Sequence, residues 1–100
     1  PEKLFNRDLV KKALILNKTV MVKDSNTIQD EDNRITKSLQ IMKIRSAMCV
    51  PISSCEKLRG VIYVDSLEKP YGFRESDAVL LRDVCSRVAL AIDNLATQTS

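Results

Sequence analysis

From Glu75 to about Ala96 the apolar side chains return at helical intervals. Leu81, Val84, Val88, Ala91 and Leu95 follow alternating spacings of three and four, and Leu80, Cys85, Ala89 and Ile92 widen the stripe. The segment predicts one long helix, with Asp77 in a first turn whose free N–H groups favour a carboxylate. A stripe this wide serves two surfaces: part of it can cover a sheet, and the heptad-like seam can meet the same helix of a second subunit. Three heptads do not establish a coiled coil, so a core-only role stands beside the dimer reading.

What such a helix covers is set by the stretch before it. Residues 46–53 and 60–66 of "SAMCVPISSCEKLRGVIYVDS" are two apolar, β-favouring runs, and "SSCEKLR" supplies a loop of hairpin length. Pro51 has no N–H to give to a ladder, which predicts a strand end, an edge or a bulge there. Gly60 opens the second strand, and "LEKPYG" ends the pattern with Pro70 and Gly72. On that strand Tyr63 shares a side with Val61 and Asp65, while Ile62 and Val64 point the other way, toward the terminal helix.

The first half reads helix, strand, loop, helix. "NRDLVKKALILN" spaces Leu9, Val10, Ala13, Leu14 and Leu16 as a helix over 7–17, with Asn6 placed to cap it and Asn17 to end it. "TVMV" is a short strand, and "KDSNTIQDEDN" is too polar and acidic to pack. Over 34–44, Ile35, Leu39 and Met42 form one helical face. Asn33, Lys37, Gln40 and Ile44 form a second, mostly polar one, which either meets solvent or lines a site.

With 44% hydrophobic and 29% charged residues, the 100-residue chain reads as one soluble domain with a single core. A net charge of +3 is dispersed and only 4% of residues are aromatic, so no basic stripe with stacking residues points to nucleic acid. No apolar run reaches the roughly 18 residues of a membrane span. Cys49, Cys55 and Cys85 lack CxxC spacing and read as reduced thiols, which with the absence of a leader implies a cytoplasmic setting. Cys49 and Cys85 lie on apolar elements as core thiols, and Cys55 in the hairpin loop is the one candidate for reactivity. A chain that opens at Pro1 without a methionine is expected to be a piece of a longer one.

In this order of elements, Ser46 with Met48, Val50, Pro51 and Ile52, then "GVIYVD", Phe73 followed by Asp77, and the "LLRDVCSRVALAIDN" helix together resemble the later part of a GAF domain. "LVKKALILNKTVMVKD" resembles the helix and strand before that family's pocket loop, so the likeness covers about residues 5–96 within a single partial domain, 1–100. The resemblance implies an α/β (α+β) fold, an antiparallel sheet with helices on both faces, here without the leading helix and first two strands. It implies a regulatory domain, not an enzyme, of a bacterial signalling or transcription-regulatory protein. Such a domain senses a small molecule, passes its state through the terminal helix to an effector in the same chain, and forms a homodimer through that helix.

Where the family binds cyclic nucleotides, the resemblance places ligand contacts at Asn33, Lys37, Gln40 and Ile44 on the helix before the hairpin and at Tyr63 on the second strand. Lys37 suits an anion, Asn33 and Gln40 suit hydrogen bonds, and Tyr63 suits an aromatic wall with a polar tip. The cyclic-nucleotide pattern itself is broken, since Asp65 and Ser66 stand where that branch has Asn and Lys, and Ala78 stands where it has Glu. No histidine supports a haem or a chromophore linkage, no ligand set supports zinc, and no cofactor is expected. Two other readings remain: a dimerisation module without ligand, and a methionine sulfoxide reductase, whose cysteine positions this chain does not reproduce.

Overall fold

The computed structural model describes residues 5–26, 33–54, 57–67 and 72–99, apart from the side chains of residues 33 and 96–99. Helix α1 (Arg7–Leu16), strand β1 (Val20–Val22), helix α2 (Asn33–Ile41), strands β2 (Ser46–Ser54) and β3 (Lys57–Ser66) and helix α3 (Glu75–Thr99) follow in that order. The strands form one antiparallel sheet, β1-β2-β3. Alternation along the strands sends side chains to two separate cores, one on each face of the sheet, in place of the single core expected from chain length. Leu9, Ala13, Val22, Ile35, Leu39, Ile44, Ala47 and Cys49 pack under α1 and α2, with Val61 and Tyr63 against them. Met48, Val50, Ile52, Ala78, Cys85 and Ala89 pack under α3, with Ile62 and Val64 against them. The side assignment of Tyr63 against Ile62 and Val64 therefore holds.

Local chemistry fixes the helix ends. Asn6 has extended backbone and its side-chain oxygen accepts from Leu9 N at 2.9 Å, while Asn17, left-handed at φ 50°, closes α1 as Lys18 N bonds Ala13 O at 3.3 Å. At the start of α3, Arg74 N donates to the Asp77 carboxylate at 2.7 Å. The second helix ends at Ile41, one residue before its apolar period does and three before its polar one. Lys43 adopts φ 59°, its N–H bonds Gln40 O at 3.1 Å, and Ile44 N bonds Leu39 O at 2.9 Å. That paired motif reverses the chain, so Ile44 lies beyond α2 and is not on its polar face.

The hairpin is also tighter than its polar residues imply. Ser54 pairs with Lys57, so most of "SSCEKLR" is strand; Cys55 lies outside the described residues. Pro51 stands inside β2, opposite Val61, but β1 has already ended at the Val20–Cys49 pair and the register shifts between Ile52 and Ser53. Its missing donor is thus tolerated beside a bulge, where β2 has lost one neighbour.

Candidate functional site

The face of the sheet under α1 and α2 combines apolar packing with three placed polar groups. Asn6, fully buried, spends its side chain on both helices. Its oxygen caps α1, and its amide donates to Ser38 Oγ at 2.9 Å and to Met42 Sδ at 3.6 Å on the α2 side. The start of α1 is thereby fastened to α2.

Tyr63 enters the same layer from β3. The Phe5 ring meets it edge-on at 6.0 Å, and its Oη is buried close to the Asp65 carboxylate and the Asn6 backbone but makes no well-formed hydrogen bond to either. Burial drives the phenol pKa well above its ordinary value, and the nearby Asp65 carboxylate adds to this. A neutral buried hydroxyl with no partner costs about 1–3 kcal/mol, so a ligand atom that satisfied it would gain that back.

A second arrangement lies at the base of α2. Ser25 Oγ donates to Ile44 O at 2.7 Å, Gln40 Nε2 donates to Ser25 O at 2.6 Å, and Ser25 N donates to Arg45 O at 2.8 Å. Arg45 pairs with Asp24 at 3.4 Å. The Asp24 carboxyl is held below its usual range, first by the Asn26 N–H and then, against some desolvation, by Arg45. Gln40, Ile44, Lys43 and Arg45 border a depression of ≈ 350 Å³ here.

The five residues of the sequence-derived site do not converge on one point. Ile44 and Tyr63 join the same core, and Gln40 and Ile44 share the depression. Lys37 is exposed on the side of α2 opposite Ile35 and Leu39, and Asn33 begins the helix with its side chain outside the described residues. Between α2 and the sheet lie Leu9 and Ala13 of α1, both fully buried. Asn6 and Ser38 are polar residues that do reach this layer. Asn6 was legible only as a cap, and Ser38 gave no periodic signal.

The two described thiols, Cys49 and Cys85, are quiet. Burial pushes Cys49 up to about 11, with Cys85 adding, and burial also raises Cys85. Among the described residues no group of His, Cys, Asp or Glu could hold a metal ion, and no helix is long and apolar enough to cross a membrane.

A GAF domain family model matches residues 2–92. The chain belongs to the GAF domain family. Solved GAF domains share its fold: the GAF domain region of a Geobacter sulfurreducens protein superposes with a TM-score of 0.69 at 20% identity, over 92% of this chain and 60% of that one. A GAF domain/HD domain protein from the same organism gives 0.64 at 18%, over 91% and 58%. The GAF domain of a two-component sensor histidine kinase from Bacillus halodurans gives 0.62 at 21%, over 100% and 64%. The chain therefore spans less than two thirds of the length of each of these GAF structures, and at such identities the likeness is one of fold. No curated protein matches it in sequence.

Proposed function

We propose that this GAF domain is a regulatory, small-molecule-sensing domain of a bacterial signalling protein. It binds its ligand on the α1–α2 face of the sheet and reports through α3 to an effector in the same cytoplasmic chain. The observation that carries this reading is the buried, unpartnered hydroxyl of Tyr63, on a strand whose neighbouring side chains Ile62 and Val64 pack against the α3 core. Tyr63 forms the aromatic wall and Gln40 and Ile44 form the edge at the base of α2, while Lys37 stands outside it on the solvent side of that helix. A ligand that reaches Tyr63 displaces the Asn6 end of α1, and unequal binding to the two arrangements is what makes a signal. The occurrence of related folds in a sensor histidine kinase and an HD-domain protein supports an effector in the same chain. The raised pKa values of Cys49 and Cys85 speak against either of these two thiols as the nucleophile of a sulfoxide-reducing enzyme.

A second reading, a dimerisation domain without ligand, is favoured by Leu9 and Ala13 filling the space under α2 and by exposed Leu80, Val84 and Leu95 along α3. Both readings place a homodimer contact on α3. Thermal shift of the intact protein against a metabolite panel separates them. The sensing reading expects a stabilising compound whose shift is lost in Tyr63→Phe, while that variant without compound melts no lower than the parent. A panel without a stabiliser, or a shift that survives Tyr63→Phe and Gln40→Ala alike, rejects this pocket.

A further inference from the structure

On the face of the sheet opposite Tyr63, a trough runs between the edge strand β1 and α3. Two adjoining hollows of ≈ 460 Å³ and ≈ 370 Å³ share Thr19 and Arg82 in their walls. Val50, Pro51 and Cys85 supply apolar lining to the first.

Three cations from separate elements border the trough: Lys18 from the α1–β1 turn, Lys23 just beyond β1, and Arg82 from α3. Among the described residues none of them has an ion-pair partner, whereas Arg45, Arg59 and Arg87 are each matched by an aspartate. Lysines flanking an edge strand alone serve to keep other chains from pairing with it. Arg82 does not fit that role. It comes from the helix, has Ala78 and Ser86 rather than acids four residues away on either side, and faces the same space as Lys18. The carboxylate of Glu75 borders only the second hollow, while Ser53 adds a hydroxyl to the first and Thr19 one to both.

We propose that this trough binds a small phosphate monoester. The planar guanidinium of Arg82 takes two phosphoryl oxygens, Lys18 adds a point charge, and the hydroxyls of Thr19 and Ser53 complete the anion's hydrogen bonds. The organic part of the ester lies on Val50, Pro51 and the protonated thiol of Cys85. A monoester carries about −1.5 to −2 at pH 7, which suits two or three cations better than a singly charged carboxylate or sulfate ester does. The site is independent of the Tyr63 face.

Phenyl phosphate, titrated calorimetrically into the full chain, tests this. Saturable one-to-one binding is expected, weakened at least about tenfold by Arg82→Gln and less by Lys18→Gln, as the loss of a bidentate and of a single charged contact. Lys11→Gln, exposed on α1 at the opposite face of the sheet, is expected to change nothing. Because Arg82 is exposed, an unchanged melting temperature shows that the variant is folded. Absence of saturable binding, equal affinity for phenyl sulfate, equal affinity in Arg82→Gln, or a preference for phosphatidic acid vesicles over the soluble ester each overturns the proposal.

Discussion

Asp93 Oδ1 lies 3.1 Å from Arg59 Nη2, and the other oxygen of the same carboxylate accepts the Ser54 hydroxyl. One side chain of α3 thus holds both strands of the β2–β3 hairpin near its turn. The group is partly shielded, with Asp93 24% and Arg59 33% exposed, so the pair is screened less than a surface one.

Asp93→Asn keeps the shape and removes the charge. It is expected to destabilise the domain by about 1–2 kcal/mol, as a charge-assisted bond is lost from a half-buried site. Thermal melts should show this, and in the double variant with Arg59→Gln the two losses should fall short of additive.

Of the two glycines, Gly72 is the one closed to a side chain. Its φ is +66°, and a Cβ there would run into the carbonyl of Lys23 and crowd Ser46 Oγ. Gly72→Ala combines left-handed strain with a backbone clash and is expected to cost about 2–4 kcal/mol, read as a lowered urea midpoint.

Cys49 gives a pH dependence. Its thiol is fully buried and raised from 9.0 to about 11, so the folded state holds the proton longer than the unfolded chain does. The stabilisation it brings is complete below pH 9 and is lost as pH climbs toward 11. Urea unfolding across pH 8–11 should show stability falling in that window, with a shallower fall in Cys49→Ala. At neutral pH the native protein should leave Cys49 and Cys85 unmodified by a thiol reagent, and modification within the mixing time would contradict their burial.

The elements were legible where a period ran unbroken. The α3 stripe, the Asn6 and Asn17 ends of α1 and the two sides of β3 all follow from spacing and cap chemistry, and the structure keeps them. The end of α2 was not legible, because Lys43 is a lysine in a left-handed cap that usually falls to glycine or asparagine. That one residue carried the apparent polar face onto Ile44, which the chain reversal delivers to the core instead. The hairpin turn was misjudged for a similar reason. Ser53, Ser54 and Lys57 look like loop residues, but they sit in strands with solvent or Asp93 to meet their polar groups. The convergence of Lys18 and Arg82 depends on a turn and a helix brought together by the sheet, a long-range relation that no local pattern encodes.

Along β3 the side chains alternate so strictly between the two cores that the strand has no intermediate positions. A slip of one residue against β2 would send Tyr63 under α3 and Ile62 under α1, dismantling both layers at once. Any displacement that crosses the sheet must therefore travel as a change of twist or tilt at constant register. The bulge between Ile52 and Ser53, where the ladder is already interrupted, is the place where the sheet bends most cheaply.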